Sequence, residues 1–368
     1  MSVFNQLVET IKRSSKREHF ADLTLQTERS SGLLPELKKV RIQSPNGVNF
    51  VVYFVVESED DRSDGLIASL AGFYNARYIL EYLKHGEIKA PVGHFNFFVR
   101  KLLEGGANRS FVALSLQWNQ TSRSTKSQIS LEDLEKVAET LAVLHSCGFD
   151  RPRASYRQVI NENHEDIQHY LTAVFRQQAP HLIDSLFSKH SRNFANAKRT
   201  RSIVEELLGS FHSFQIPVEE SSRTTVLCHG NLCLQNLEFD ENGNLHAITN
   251  WEHAHFGHVA EDLSYLMLSG LAAEERRSNY LRILRHYFYR LVDVHCVAFK
   301  LYHLKQFYHR FLKHAALFRL LTLEAEIDED ESSAKFVIQR WENTVIDAQE
   351  FENDFVSDGE DPLTFQHE

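Results

Sequence analysis

The spacing of apolar residues changes near residue 119. Short alternating or continuous runs of β-branched and aromatic residues precede that point, and runs with helical spacing follow it. In the first part, KKVRIQSP and NFVVYFVVES flank Pro45-Asn46-Gly47. Asn-Gly between β-branched runs predicts a hairpin, because both residues accept the positive φ that a tight turn requires. HFNFFVRKLL and SFVALSLQW read as two further strands. Between the pairs, residues 66–84 carry Leu66, Leu70, Phe73, Tyr78, Leu80 and Leu83 at helical spacing. The order strand, strand, helix, strand, strand predicts a small antiparallel sheet with one packed helix. Ahead of it, Phe4, Leu7 and Ile11 predict a short N-terminal helix, followed by polar material.

The second part reads as helical. Ser130-Leu131-Glu132-Asp133 resembles a capping box, and Leu131, Leu134, Val137, Leu141 and Leu144 then line one face up to a stop at Gly148. Amphipathic segments run through 162–213. A second hairpin is predicted from LQNLEFD and NLHAITN around Glu241-Asn242-Gly243, and helices rich in Leu, Phe, Tyr and His fill 260–350. HYFYRLVDVHCVAFKLYHLKQFYHRFL reads as one aromatic-rich helix packed in the core.

Composition narrows the function classes. A hydrophobic content of 42% over 368 residues suffices for a large buried core. The formal charge of -10, with no long basic run, argues against nucleic acid as a partner. No stretch has the length and apolarity of a membrane span or a signal peptide, so the expectation is a cytoplasmic protein with no membrane partner. Cys147, Cys228, Cys233 and Cys296 match neither a zinc ribbon nor a disulfide framework. In a cytoplasmic protein the sequons at Asn108 and Asn119 are chance matches, and the run Asp328-Glu329-Asp330-Glu331 reads as a solvated loop.

The chemistry concentrates in residues 226–263, VLCHGNLCLQNLEFDENGNLHAITNWEHAHFGHVAEDL. This window resembles the CHK kinase-like (ecdysteroid kinase-like) family, within the choline/aminoglycoside phosphotransferase-like superfamily. That family's order is His-Gly-Asp-x-x-x-x-Asn, a hairpin, Ile-Asp-Trp-Glu/Gln, Phe-Gly and Ala-x-Asp-Leu. SLEDLEKVAETLAVLHS, EERRSNYLRILRHYFYRL and FLKHAALFRLL resemble further helices of the family, so the resemblance spans roughly residues 30–350. It implies an α+β, two-lobed, protein-kinase-like fold. The divisions would be an N-terminal helical extension (1–29), a small antiparallel-sheet N-lobe with one helix (30–118), a larger mostly helical C-lobe (119–350) and an acidic disordered tail (351–368).

Against that family the chain departs at the charged positions. The catalytic Asp is replaced by Asn231, and an amide accepts no proton near neutral pH. A general base typically contributes ~10²–10⁴ in rate. The metal-holding Asn is kept as Asn236, but the metal-holding Asp of Ile-Asp-Trp is Asn250. Magnesium favours carboxylate oxygens, so two amides weaken its site. The strand NFVVYFVVES lacks the phosphate-holding Lys, for which Lys38, Lys39 or Arg41 are possible nucleotide-binding substitutes. Arg77 takes the position of the Glu on the following helix, with Glu81 one turn later, and SSGLL (30–34) has too few glycines to cover phosphates well.

The remaining residues of the window read structurally. His229 and Gly230 shape the loop, the resemblance makes Asp262 a brace on the loop backbone, and Glu252 reads as a solvated or salt-bridged surface residue. His253, His255 and His258 are a weak candidate metal cluster without an evident fourth ligand. Together these features predict a catalytically impaired, pseudokinase-like protein that binds an unknown small molecule or protein partner and needs no cofactor. One alternative is a weakly active small-molecule hydroxyl kinase using ATP and Mg²⁺. Another is an interaction module that binds no nucleotide.

Overall fold

The computed structural model describes residues 24–27, 33–43, 49–58, 63–85, 94–102, 109–118, 129–149, 154–216, 224–240, 244–327 and 331–353. Five strands form the larger sheet: β1 (Thr24–Thr27), β2 (Lys38–Gln43), β3 (Asn49–Ser58), β4 (His94–Leu102) and β5 (Arg109–Trp118). They are ordered β1-β2-β3-β5-β4, and every pairing is antiparallel. The pairing Gln43↔Asn49 closes the first predicted hairpin, whose turn itself lies outside the described residues. Within 1–29, read as a helical extension, Thr24–Thr27 is extended and adds to the sheet edge beside β2, while the helix placed on Phe4, Leu7 and Ile11 lies outside the described residues.

Helix α1 (Asp64–His85) packs on this sheet. Leu66, Phe73, Ile79, Leu80 and Leu83 are buried along its length, and Tyr53 and Val55 of β3 are buried as well. Residues two apart on a strand share a face, so Tyr53 and Val55 point the same way.

Beyond the sheet the described chain is mostly helical, with α2 (Leu131–Phe149), α3 (Ala154–His190) and α4 (Ala197–Gly209) ahead of the motif window. The Asp133 amide donates to Ser130 Oγ at 3.1 Å, which is the expected cap, and Gly148 lies inside the helix rather than ending it. The window itself forms β6 (Thr225–Cys228) paired with β9 (His255–His258), and β7 (Leu237–Phe239) paired with β8 (Leu245–Ile248). Helices α5 (Glu261–Gly270), α6 (Ala273–Val294), α7 (Leu301–Glu326) and α8 (Glu331–Asn353) complete the described chain.

Two readings need correction here. The predicted single aromatic helix is two, because α6 ends at Val294 and α7 begins at Leu301, capped through Lys300 and His303. The segment predicted as a tail from 351 begins as helix, since α8 runs to Asn353. Buried ion pairing of Arg276 with Asp347 holds α6 to α8. Glu342 of α8 accepts from the Ala195 and Asn196 amides at 2.7 and 2.8 Å, fastening the start of α4. No helix among the described residues is long and apolar enough to cross a membrane.

Candidate functional site

β6 delivers the chain into the loop that starts at His229. Asp262, in the first turn of α5, is fully buried and reaches back to that loop. Its carboxylate accepts from the His229 amide at 2.6 Å and the Gly230 amide at 3.0 Å, and His145 Nε2 lies 3.2 Å away. Tyr287 OH lies 2.7 Å from His145 Nδ1 and continues the network into α6. Burial pulls the Asp262 carboxyl up, but the His145 hydrogen bond and charge, with His229, outweigh it and leave its pKa below the ordinary value. Three partners on one buried carboxylate are what keep such a charge tolerable in the interior.

Gly230 has φ +79, and a Cβ there would stand 2.2 Å from the His253 carbonyl oxygen, so both backbone angle and space require glycine. His229 is buried, with Nε2 2.7 Å from the Thr249 carbonyl and Nδ1 accepting from the Asn231 amide at 3.3 Å. A carbonyl only accepts, so Nε2 carries the proton and Nδ1 the lone pair. Both ring nitrogens are therefore committed to shaping the loop.

The structure brings Asn231, Asn236 and Asn250 together. A 3-10 turn (Leu234–Asn236) presents Asn236, and the β7–β8 pairing of Leu237 with Ile248 carries Asn250 back beside it. Asn236 Nδ2 donates to the Asn231 carbonyl at 2.7 Å. Asn250 Nδ2 donates to Asn236 Oδ1 at 2.5 Å, and Tyr53 OH donates to Asn250 Oδ1 at 2.7 Å. The direction of this chain follows from its first member. Because the Asn231 carbonyl can only accept, Asn236 must turn its NH₂ toward it and its oxygen toward Asn250, which must then present its own NH₂. The Asn236 and Asn250 amide oxygens thus each accept from a protein donor. Asn250 holds left-handed backbone at φ 66, which asparagine tolerates better than most residues.

The other predicted residues fall less close to this point. Lys38 is exposed, bonded to the Pro35 carbonyl and 4.0 Å from Glu36, while the side chains of Lys39 and Arg41 lie outside the described residues. Arg77 and Glu81 pair with each other at 3.0 Å. Leu33 and Leu34 of SSGLL are buried, with Leu34 packed over Gly72 of α1. Glu252 corrects the surface reading. It is buried because α1 packs over the 3-10 turn Trp251–His253, where Gly72 meets the Glu252 backbone and Cβ.

The three histidines do not converge either. Among the described residues the groups able to hold an ion are His145–Cys228–Asp262 and Cys228–His255–Glu261, and neither contains His253 or His258. Burial, with His229 and His255 nearby, drops His253 to about 3, and burial beside Arg310 drops His258 to about 4. Both are packed against aromatic rings, His253 by Phe318 and His258 by Phe307.

Sequence reasoning missed Tyr53, His145 and Tyr287. Tyr53 carried a faint signal as the one hydroxyl-bearing residue in the apolar centre of NFVVYFVVES, on the strand where the resemblance calls for a lysine.

The family model described as "Uncharacterized oxidoreductase dhs-27" (DUF1679) matches residues 66–355. Among curated proteins none matches the chain. Similar solved structures include a spectinomycin phosphotransferase in complex with ADP and spectinomycin, at 11% identity over 95% of this chain and 98% of that one, TM-score 0.49. An amicoumacin kinase with AMP-PNP and Ca²⁺ has 10% identity over 96% of both chains, TM-score 0.48. A type I macrolide 2'-phosphotransferase has 15% identity over 91% and 96%, TM-score 0.44.

Proposed function

The chain belongs to the family of that model, and on this premise we propose that it is a kinase-like protein, built as two lobes of about residues 30–118 and 119–350, that has lost phosphoryl transfer and serves as a ligand-binding or regulatory pseudokinase. The word oxidoreductase in the family description belongs to its namesake and is not carried to this chain.

The observation that carries the reading is the directed chain Tyr53–Asn250–Asn236–Asn231. Phosphoryl transfer relies on positioning, on metal-bridged phosphates and on a carboxylate that takes the substrate proton. An Asp at position 250 would set a carboxylate oxygen against Asn236 Oδ1, two acceptors that need a cation between them. The Asn250 NH₂ supplies the positive edge instead, so the metal is replaced by a hydrogen bond. Tyr53 then occupies the remaining oxygen from the sheet side. For Mg²⁺ to enter, two hydrogen bonds worth about 0.5–1.5 kcal/mol each would break, and the ion would gain only neutral oxygens in place of the carboxylates it favours. Loss of the general base at Asn231 removes about 3–5 kcal/mol of barrier reduction on top of this. The retained Asp262 brace supports the view that the loop is kept for shape.

Melting scans with ATP, GTP and Mg²⁺ or Ca²⁺ test the reading. The expected result is no divalent-dependent rise in Tm and no release of ADP with a panel of alcohols. A rise of several degrees that requires Mg²⁺, or steady turnover, would sink it.

A further inference from the structure

We propose that Cys228, His255 and Glu261 bind a thiophilic divalent cation, Zn²⁺ by the character of the ligands, with a fourth position open to the adjoining pocket. The inference is independent of the nucleotide reading and concerns the β6–β9 pair beside the Asp262 brace.

Cys228 ends β6 and His255 begins β9, and the sheet register sets them directly opposite each other. Glu261 opens α5 and folds back toward the pair. Cys228 Sγ, a ring nitrogen of His255 and a Glu261 carboxylate oxygen all lie within 4.8 Å of one another, and all three residues are buried. His255 Nε2 and Glu261 Oε2 are 3.2 Å apart. A tetrahedral Zn²⁺ with ligand bonds of about 2.0–2.3 Å spaces its N and O donors by about 3.3 Å, and N from S by about 3.6 Å. The N–O spacing is therefore already that of a filled site.

The protonation pattern points the same way. His255 Nδ1 is 3.0 Å from the His253 carbonyl, which only accepts, so Nδ1 carries a proton and leaves Nε2 to face Glu261. A lone pair facing a carboxylate needs something positive between them. A ring N–H on a backbone carbonyl is also the usual outer partner that orients a metal-bound histidine. A second proton on the ring would serve Glu261 alone, and the Cys228 thiol donates to the His258 carbonyl at 3.3 Å; a soft divalent ion would displace both protons and engage all three donors. The neighbouring group His145–Cys228–Asp262 is no rival, because its carboxylate is spent on the His229 and Gly230 amides.

Two further features fit. Gly257 lies on β9 where a Cβ would stand 2.3 Å from His255 Nε2 and 3.0 Å from Glu261 Oε2, so any side chain there would enter the donor set. A pocket of about 620 Å³ reaches His255 and Glu261 and is lined also by His164, Gln168 and His258. Gln168 Oε1 and His258 Nε2 are buried there without a hydrogen-bond partner among the described residues, ready to hold a water or ligand group at the open position.

The test titrates the chelator-treated full chain with Co²⁺ and then Zn²⁺. The expected result is one ion per chain, a thiolate-to-cobalt charge-transfer band that Zn²⁺ abolishes, and a higher Tm with Zn²⁺. The band should vanish in Cys228→Ser, and affinity should fall about tenfold or more in Glu261→Gln. Absence of the band in the unaltered chain, or its persistence in folded Cys228→Ser, would overturn the proposal. If Cys228→Ser does not fold, Cys228→Ala is read in its place with the same two outcomes.

Discussion

Two neighbouring regions treat charge in opposite ways. At the Asp262 brace a fully buried carboxylate is kept and surrounded by the His229 and Gly230 amides and by His145. A few residues away, at Asn231, Asn236 and Asn250, only neutral groups meet, and the Asn236 and Asn250 amide oxygens each accept from a protein donor. One region holds its shape with a charge and the other with neutral hydrogen bonds. A buried ion persists only where partners compensate its desolvation, and only the brace supplies them.

The largest expected effect is at the brace. Asp262→Ala strands two buried amides and His145, and should cost about 3–5 kcal/mol in denaturant unfolding. A loss near zero would mean that the brace is not what holds the loop. Acid separates the regions next, since amides do not titrate. Burial holds His253 and His314 at about 3 and His258 at about 4, against an ordinary 6.5. Between those values only the unfolded chain binds the proton. Their stabilisation is complete above pH 6.5 and declines as pH falls, by about 1.4 kcal/mol per histidine per pH unit. Asp262, with its lowered pKa, is lost later, once pH drops through its folded value. His255, raised beside Glu261 although burial opposes it, acts in the other sense and weakens the fold as pH rises. Melting temperature should therefore fall from pH 7 to pH 5, and a flat profile would contradict the burial of these rings.

The amide cluster yields the smaller effects. Asn250→Asp sets acceptor against acceptor and should destabilise by about 1–3 kcal/mol in chelator. Mg²⁺ should restore that loss, although it leaves the unaltered chain unmoved. Equal melting with and without Mg²⁺ in this variant would mean that position 250 cannot hold a metal even when charged. Tyr53→Phe removes one donor and should cost about 1 kcal/mol. Combined with Asn231→Asp and Asn250→Asp, it should give the strongest Mg²⁺-dependent nucleotide response, read by calorimetry.

The elements legible in the sequence were those with local signals. Helices α1 and α2 follow from apolar spacing, and the β2–β3 and β7–β8 pairs follow from Asn-Gly turns. β1 was hidden because TLQT is only four residues of mixed polarity, with no apolar run to mark it. The break between α6 and α7 was hidden because no glycine or proline marks it. At the site, the three asparagines were found through motif order. Their bonding direction was not, because it depends on Tyr53, 197 residues away from Asn250 in sequence. The Cys228–His255 juxtaposition likewise depends on strand register, which spacing along the chain does not reveal.

The left-handed turn at Asn250 constrains what can follow. Branched or bulky residues fit such a turn poorly, whereas aspartate and asparagine both tolerate it. Drift at this position is thereby channelled between a charged and an uncharged form of nearly the same shape. A carboxylate at this position would ask for no rebuilding of the backbone.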